Sequence, residues 1–587
     1  MKRRHDTMTR AEFVKRTAGA VGGMALAGSA MGDLFALSPQ RGFRAAALPL
    51  GTAADTVLLN GKVATVDAFD SFTQAVAIRD GLILQTGSTA NIQALAGEGT
   101  LVIDLKGRTL TPGFIDAHCH FQYKALMGDF WLGFVPPEVG SITELQDAVA
   151  DLVTGMEMDE WVNGYYLVFS DGRSPTRDDL DPVSPDNPVF IMHQGGHWAS
   201  VNSLALAMAG ITSDTPDPVG GIIERDSGGE PTGVLYNHRA MDLVRHLIPL
   251  YSNEDLVTGI LATQPLFAAA GLTGFHDNNI RDVEGLRTYQ RLASNGQVYQ
   301  RQGLFYTLEW PSDLDRALHE IDHVTNEFTR FAGFKFLIDG QGPTFYCHEA
   351  HGGTSYRITT WDPSTFKETV RILHETGLQI CVHCGGDAAA DLALDAFEEA
   401  MNAYPRSDPR HRIEHAVLTT PEATQRMVDL GVIVSTQPQF IRLAGDLYKD
   451  LFTANQMERL IMTREWLDAG VKVALGSDTP TTLWYEPRAT LFGAMTRLTW
   501  TDQVLNPEQV MTVDEAIRAH TADAAFALHE EDVKGSIEAG KMADLVVWSD
   551  DPYSATAEEV YRSAIDLTMV GGEIVYLGPR PPRRQIG

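Results

Sequence analysis

Two histidines separated by one residue end an apolar run, in the stretch LTPGFIDAHCHF from Leu110 to Phe121. Side chains alternate faces along a strand, so His118 and His120 point to one side and Cys119 points away. Two neutral imidazoles on one side suit a divalent metal ion. Two ordinary polar residues at a strand end would give the same pattern. The rest of the chain must therefore decide between a metal site and this alternative.

Other side chains able to bind a metal follow other apolar runs. They are Lys335 in GFKFLIDG, His383 in CVHCGGD, His415 in RIEHAV and Asp478 in ALGSDTP. A single such residue is more often part of the packed core. Their repeated occurrence at the ends of independent strands favours a shared site, because packing does not explain it.

The elements that must position these residues alternate along the middle of the chain. Eight candidate strands are separated by stretches of helical pattern such as WDPSTFKETVRILHETG, and the strands are GFIDAHCH, GLTGFHD, QVYQRQGLFYTL, GFKFLIDG, LQICVHCG, HRIEHAV, GVIVSTQP and VKVALGSD. This order predicts an α/β fold, a distorted (β/α)8 TIM barrel, whose chemistry lies at the carboxyl ends of the strands. The segment 131–270 is too long for a loop, and we expect an inserted lid subdomain that covers the barrel mouth.

Short strands with turn signals occur at both ends of the chain. Asn60-Gly61, Asp80-Gly81 and Gly571-Gly572 are typical of two-residue hairpins. We expect one β-sandwich domain built from both chain ends, with the barrel inserted between its halves. The predicted boundaries are 1–45 for an export signal and linker, 50–111 for the first part of the sandwich, 112–525 for the barrel and 526–580 for the second part of the sandwich.

Composition excludes several classes of partner. The chain has 587 residues and a formal net charge of −31, so it repels nucleic-acid phosphates and anionic lipid surfaces. No apolar run is long enough to span a bilayer. We therefore expect a small-molecule substrate and no nucleic acid or membrane span; a homodimer is compatible with such a chain.

The N-terminal segment has the character of an export signal. A basic stretch, MKRRHDTMTRAEFVKR, precedes the weakly apolar TAGAVGGMALAGSAMG. TRAEFVK resembles the twin-arginine motif, although Ala11 replaces the second arginine. We expect a periplasmic or secreted protein with an atypical Tat-like signal, and a cytoplasmic location remains open. The four cysteines, Cys119, Cys347, Cys381 and Cys384, do not form a disulfide framework pattern.

Several motifs together resemble the amidohydrolase superfamily and, within it, amidohydrolase family 3, the YtcJ-like metal-dependent hydrolases. The motifs are TPGFIDAHCHF, VHCGGDAAADLALDAFE, RHRIEHAVLTTPE, VALGSDTPTT and EAGKMADLVVWSDDP. The resemblance covers nearly all of the chain after the signal. It implies hydrolysis of a carbon–nitrogen bond of a small molecule by a metal-activated hydroxide.

The resemblance also implies how the site residues divide the work around one or two divalent ions, of which zinc is the expected metal. His118, His120 and Asp478 would hold one ion, and His383 and His415 would hold a second. A carbamate on Lys335 would bridge the two ions. The alternative for Lys335 is an ion pair with Asp339 or Asp387, and the loop that follows it, DGQGPTFYCHEAHGG, departs from the usual family sequence.

Two residues are predicted to act in catalysis. Asp478 would take a proton from water and deliver it to the leaving nitrogen. His197, in HQGGHWASVNSLAL, resembles a family position that reaches the site and would stabilise the oxyanion; the alternative is a histidine at a helix start in the lid. His276 is predicted to lie behind the site or in its wall. The aromatic candidates for the pocket lining are Trp131, Trp198, Trp484 and Tyr485.

Two other functions remain open at this point. A mononuclear deaminase would share the barrel, but Gly385, Gly386 and Asp387 follow the fifth strand where a glutamate general acid is usual. A non-catalytic protein that binds metal or ligand would not need Asp478. A screen of amides, carbamates and lactams with added zinc or manganese separates the three functions.

Overall fold

The alternating apolar residues at the start of the chain form short strands. In the computed structural model the described residues are 53–127, 131–135, 138–166, 171–352, 354–580 and 582–586. The predicted export signal therefore lies outside the described residues. The first elements are β1 (Ala54–Leu59), β2 (Lys62–Ala64), β3 (Phe72–Thr73), β4 (Ala75–Arg79), β5 (Leu82–Gly87), α1 (Thr89–Gln93), β6 (Ala96–Asp104) and β7 (Thr109–Pro112).

The first barrel strand is followed at once by the inserted region. It contains a six-stranded mixed sheet, in the spatial order β13-β14-β12-β11-β10-β9. The elements in chain order are β8 (Phe114–Cys119), α2 (Phe121–Leu126), β9 (Leu132–Phe134), α3 (Ile142–Val153), β10 (Val162–Tyr166), α4 (Arg177–Leu180), β11 (Val189–His193), β12 (Trp198–Val201), α5 (Ser203–Met208), β13 (Ile222–Arg225), β14 (Pro231–Tyr236) and α6 (Asn237–Arg245).

The remaining barrel strands alternate with helices. In chain order these elements are α7 (Asn253–Ala269), β15 (Leu272–Ile280), α8 (Val283–Ser294), β16 (Arg301–Leu308), α9 (Asp313–His319), β17 (Thr329–Leu337), α10 (Pro363–His374), β18 (Gln379–Cys384), α11 (Asp387–Ala403), β19 (Arg412–His415), α12 (Pro421–Leu430), β20 (Ile433–Thr436), α13 (Phe440–Leu451), α14 (Ala454–Glu458), α15 (Thr463–Ala469), β21 (Val473–Leu475), α16 (Pro487–Thr496), α17 (Val513–Ala519) and α18 (Ala522–Phe526).

The eight parallel strands form a nearly closed barrel, in the order β21-β20-β19-β18-β17-β16-β15-β8. The predicted (β/α)8 barrel is confirmed. Where the first and last strands meet, the amide of Asp478 donates a 2.7 Å hydrogen bond to the carbonyl of His118. A side chain on Gly476 would collide with His118 at this seam, because an added Cβ would lie 2.4 Å from the His118 nitrogen.

The chain then returns to the sandwich with β22 (Leu545–Trp548), α19 (Ala557–Arg562), β23 (Ile565–Val570), β24 (Glu573–Leu577) and β25 (Arg583–Ile586). One sheet has the order β25-β6-β1-β4-β5 and the other β24-β23-β22-β7-β2-β3, so each contains strands from both chain ends. The predicted sandwich is confirmed. Its interior is a cluster of buried aliphatic residues from both ends, which includes Leu58, Ile103, Leu545 and Leu567.

Two of the three predicted hairpins are present. Arg79 pairs with Leu82 across Asp80-Gly81, and Val570 pairs with Glu573 across Gly571-Gly572. All four turn residues have positive φ, as a two-residue hairpin of this kind requires.

The predicted Asn60-Gly61 hairpin is wrong. Strands β1 and β2 belong to different sheets, and the chain crosses from one sheet to the other at this point. β1 pairs with β4 and β6, whereas β2 pairs with β3 and β7, and both strands bury apolar side chains in the interior that the two sheets share. Gly61 is needed for close approach rather than for a hairpin, because an added Cβ would lie 2.3 Å from Leu105 Cδ1.

No helix among the described residues is long and apolar enough to cross a bilayer. The four cysteines are buried and free. Cys381 and Cys384 lie within β18, where they pack in the barrel wall.

Candidate active site

The barrel register brings the predicted site residues to one end of the sheet. His118 lies in β8, and His120 follows that strand at the start of α2. In the adjacent strands Leu337 is paired with His383, and Cys384 is paired with His415. Lys335 lies in β17, and Asp478 follows β21 by three residues. Five different strands thus contribute to one cluster.

Three of these residues form a set with the spacing of metal ligands. One ligand atom from each of His118, His120 and Asp478 lies within 4.8 Å of the others. Oδ1 of Asp478 is 3.4 Å from Nε2 of His118 and 2.9 Å from Nε2 of His120. Among the described residues neither Nε2 of His118 nor Oδ1 of Asp478 has a hydrogen-bond partner, although both atoms are buried. Buried nitrogen and oxygen atoms of this kind, which lack a hydrogen-bond partner, are suited to act as ligands of a divalent cation.

His383 and His415 lie beside this set. Their ring centres are 4.6 Å apart, and the ring of His415 is also 4.6 Å from that of His118. Nδ1 of His383 is 2.7 Å from Asp339 Oδ1, and Nδ1 of His415 is 2.8 Å from Gln437 Oε1. With Nδ1 engaged, each ring has Nε2 left as its ligand atom.

Lys335 lies in the same cluster with no hydrogen bond to its Nζ from any described residue. Burial lowers the pKa of its ammonium group, which favours the neutral amine. The alternative ion pairs are not formed: Asp339 accepts from Gly386 at 2.8 Å, and Asp387 pairs with Arg459 at 2.9 Å. A second ion on His383 and His415 with Lys335 as a bridge stays a prediction.

The charge on Asp478 is maintained by its neighbours. Burial opposes that charge, but the contacts with His118 and His120 outweigh burial and hold the pKa of Asp478 well below its usual value. Burial also lowers the pKa of His120 to about 4. A carboxylate at Asp478 beside a neutral imidazole at His120 is the protonation state that a metal site requires.

A cavity above the cluster contains about 630 Å³ of space, part of it open to solvent. Six of the seven predicted site residues line it, namely His120, His197, Lys335, His383, His415 and Asp478. His118 lies beneath, fully buried. The lid contributes His197, whose ring centre is 4.6 Å from that of His383. His197 lies in the turn before β12 rather than at a helix start. Its role at the oxyanion stays a prediction.

The fold and the cluster can now be compared with those of known proteins. The family model for the amidohydrolase family matches residues 101–576. The chain belongs to the amidohydrolase family. Among its relatives is an N-substituted formamide deformylase of Arthrobacter pascens, 31% identical over 539 residues, which are 89% of this chain and 98% of the relative.

Two further similarities extend over most of this amidohydrolase. The putative amidohydrolase YtcJ of Bacillus subtilis is 28% identical over 523 residues, which are 86% of this chain and 96% of the relative. A crystal structure of a metal-dependent hydrolase from Pyrococcus horikoshii superposes with a TM-score of 0.67 at 21% identity, covering 86% of this chain and 99% of that chain. At 21% identity, the similarity to the Pyrococcus horikoshii structure shows the fold alone.

Sequence reasoning did not predict four residues in the role of partners behind the candidate metal ligands of this amidohydrolase, namely Glu414, Arg412, Asp339 and Gln437. Nδ1 of His118 forms a short hydrogen bond with Glu414, and Arg412 binds both oxygens of Glu414 at 2.7 and 2.9 Å. Burial opposes the charge of Glu414, but Arg412 and His118 outweigh it and hold its pKa well below the usual value. Asp339 contacts Nδ1 of His383, and Gln437 contacts Nδ1 of His415.

A signal for Glu414 was present in the sequence. Arg412 and Glu414 alternate with Ile413 and His415 in RIEH, so a barrel strand must bury one charged pair. His276, predicted to lie behind the site or in its wall, lies behind it: its Nδ1 is 3.1 Å from Nη1 of Arg412. It is located within β15 and not at the end of that strand.

The four aromatic candidates are not among the residues that line the amidohydrolase's cavity; Tyr123 and Tyr165 line it instead. Trp198 stacks on His193 with ring centres 3.6 Å apart, and Tyr485 stacks on Phe267 at 5.4 Å. Periodicity identifies an aromatic residue as inward-facing, but it does not distinguish a cavity wall from a packed core.

Proposed function

We propose that the protein is a metal-dependent hydrolase that cleaves the carbon–nitrogen bond of a small amide. The observation that carries the proposal is the convergence of His118, His120 and Asp478 at a cavity that His383, His415 and Lys335 also line. These residue types suit zinc. A divalent ion held there supplies Lewis acidity and lowers the pKa of water.

The chain's own residues account for proton transfer and orientation. Asp478 is charged and lines the cavity, so it can accept a proton from water and pass it to the leaving nitrogen. His197 is neutral, because burial holds its pKa well below the usual value. A neutral imidazole N–H beside His383 is placed to donate a hydrogen bond to the carbonyl oxygen as negative charge develops on it.

N-substituted formamides are the first substrate class to test. The support is the similarity to the Arthrobacter deformylase, which extends over 98% of that relative. The cavity has apolar lining from Tyr123, Tyr165, Met127 and Met192, which suits a hydrocarbon substituent on the nitrogen.

The test is a screen of formamides, larger amides, carbamates and lactams with protein loaded with zinc or manganese. We expect release of an amine from at least one amide, with no activity in chelator-treated protein. Release of ammonia from an aromatic base instead would favour a deaminase. Metal binding without turnover of any compound would favour a binding protein and contradict the proposal.

The number of ions tests the role proposed for Lys335. We expect about two zinc ions per chain, and about one in Lys335→Ala, because the bridging group is then lost. Short carboxylic acids should partly restore the second ion. Lys367→Ala, on α10 and outside the cavity lining, serves as the control. Equal metal content in Lys335→Ala and the parent would contradict the carbamate bridge.

A further inference from the structure

One end of the lid sheet brings three histidines together, of which His197 and His238 line the cavity. Strand β11 ends at His193, β12 begins just after His197, and β14 ends just before His238. Because β12 is antiparallel to both neighbours, these three positions meet at the same end. The amide of Asn237 donates a 2.7 Å hydrogen bond to the carbonyl of His197, which fixes the start of α6 beside the His197 turn.

His238 is the member of this group that no proposed step uses. Its side chain is buried, at 7% exposure, and it lines the cavity. Neither ring nitrogen has a hydrogen-bond partner among the described residues. A buried polar atom without a hydrogen-bond partner is unfavourable, so two such nitrogens on one ring indicate a partner that is bound only part of the time.

The position of His238 along the cavity limits what it can contact. The ring of His197 contacts two others: its centre is 4.6 Å from that of His383 and 5.5 Å from that of His238. A substrate whose carbonyl oxygen faces His197 therefore presents to His238 a group farther from the metal-ligand set. In an N-substituted formamide that group belongs to the nitrogen substituent, since the acyl carbon carries only hydrogen.

The neighbouring wall is polar and carries a cation. Asn279 and Arg281, from the end of β15, line the same cavity. Nε of Arg281 donates a 2.8 Å hydrogen bond to Asn279, and Nη1 lies 2.8 Å from Glu309 Oε1. Arg281 is thus held in place, and its positive charge favours an acceptor atom nearby over a second donor.

We propose that His238 donates a hydrogen bond to an oxygen atom in the substrate's nitrogen substituent and so determines substrate specificity. The proposal rests on the proposed function. It specifies the nitrogen substituent further: besides its hydrocarbon part, the substituent carries an ether, carbonyl or carboxylate oxygen a few bonds from the scissile nitrogen. The oxygen replaces the missing partner of a buried N–H, which a hydrocarbon does not do.

The test compares three formamides of similar size: N-butylformamide, N-(2-methoxyethyl)formamide and 3-formamidopropanoate. With metal-loaded parent protein we expect kcat/KM to be at least about tenfold higher for one or both oxygen-bearing compounds than for the butyl compound. In His238→Phe, which keeps the ring but not the N–H, that ratio should fall to near one. His238→Gln, which keeps a donor, should restore part of it.

The control is His351→Phe, which also removes a buried ring with an unpartnered Nε2, but outside the cavity lining. The preference should survive in this variant. A preference for the carboxylate alone identifies an anionic group beside Arg281, and equal preference for the ether identifies an uncharged oxygen. Parent protein without a preference, or a preference unchanged in His238→Phe, overturns the proposal.

Failure of the proposed function is a separate result. If no formamide is hydrolysed, calorimetric binding of the same three compounds to metal-loaded protein decides the role of His238. Tighter binding of an oxygen-bearing compound that is lost in His238→Phe supports the proposal, and equal binding of all three by the parent overturns it.

Discussion

At the scale of single residues, three histidines of the site differ in the group bound at Nδ1. His118 contacts the carboxylate of Glu414, His383 contacts that of Asp339, and His415 contacts the neutral amide of Gln437. These partners orient each ring and set which nitrogen carries the proton. A ring with a carboxylate partner at Nδ1 is the stronger electron donor toward a metal ion. Removal of that charge should therefore lower metal affinity measurably.

Glu414→Gln removes the charge and keeps the shape. We expect metal affinity to fall by about 10- to 100-fold, because His118 loses the carboxylate that orients it. Competition with a chelating dye measures the change. Glu422→Gln removes an exposed charge at the start of α12 and serves as the control. Parent-like affinity in Glu414→Gln would mean that packing alone orients His118.

Asp478→Asn tests the proposed proton carrier. The amide keeps the size and one ligand oxygen but does not accept the proton, so we expect the fold and part of the metal to remain. Hydrolysis of a confirmed amide substrate should fall by about a hundredfold or more. Asp468→Asn changes an exposed carboxylate on α15 in the same way and is the matched control. Turnover near the parent rate would move the role to His197.

At the scale of elements, the seam between β8 and β21 decides whether the metal-ligand set forms. His118 belongs to one of these strands and Asp478 follows the other, and they are joined by the hydrogen bond from Asp478 N to His118 O. Residues 360 positions apart in sequence thus share one site because the barrel closes there. Close approach at the seam requires glycine at position 476.

Gly476→Ala should disturb both stability and activity. The added Cβ would lie 2.4 Å from His118 N and 2.8 Å from His118 O, so the two strands must separate. We expect a loss of about 1–3 kcal/mol in the free energy of unfolding, together with weaker metal binding. Urea unfolding and metal titration measure these effects. In Gly155→Ala the nearest atom is 3.9 Å away, so that variant should behave like the parent.

At the scale of the whole molecule, burial of neutral histidines makes stability depend on pH. His520, 1% exposed, lies behind β8, and burial lowers its pKa from 6.5 to about 4. Between these values the unfolded chain binds more protons than the folded chain. The contribution of the buried, neutral His520 to the free energy of unfolding is therefore complete above about pH 6.5 and is lost as the pH falls toward about 4.

His520→Asn keeps a donor for the carbonyl of Ile115 and removes the titration. We expect the variant to be less stable than the parent at pH 7 and the difference to shrink by up to about 3 kcal/mol at pH 4. Urea unfolding at several pH values measures this. His319→Asn, at an exposed position, is the control. A difference that is constant between pH 7 and pH 4 would contradict the assignment.

Much of this architecture was predictable because it depends on local patterns. Apolar runs that each end in a polar residue predicted eight barrel strands and placed His118, Lys335 and His383 at one end of them. Turn chemistry predicted the hairpins at Asp80-Gly81 and Gly571-Gly572. These features survive in the fold because the strand period and the positive φ of turn residues are properties of a few consecutive residues.

What the tertiary structure alone decided depends on contacts between distant segments. Asn60-Gly61 has the sequence of a hairpin, yet the chain changes sheet there, because β1 pairs with β4 and β6 whereas β2 pairs with β3 and β7. The alternation of Arg412 and Glu414 signals a buried charged pair, but no local pattern identifies the histidines that Glu414 and His238 meet. Glu414 meets His118, 296 residues away, and His238 meets His197 through strand pairing in the lid. The sequence by itself determined which side chains lie at the ends of the strands. The closed barrel with its lid determined which of them contact one another, since packing brings together residues that no local pattern connects.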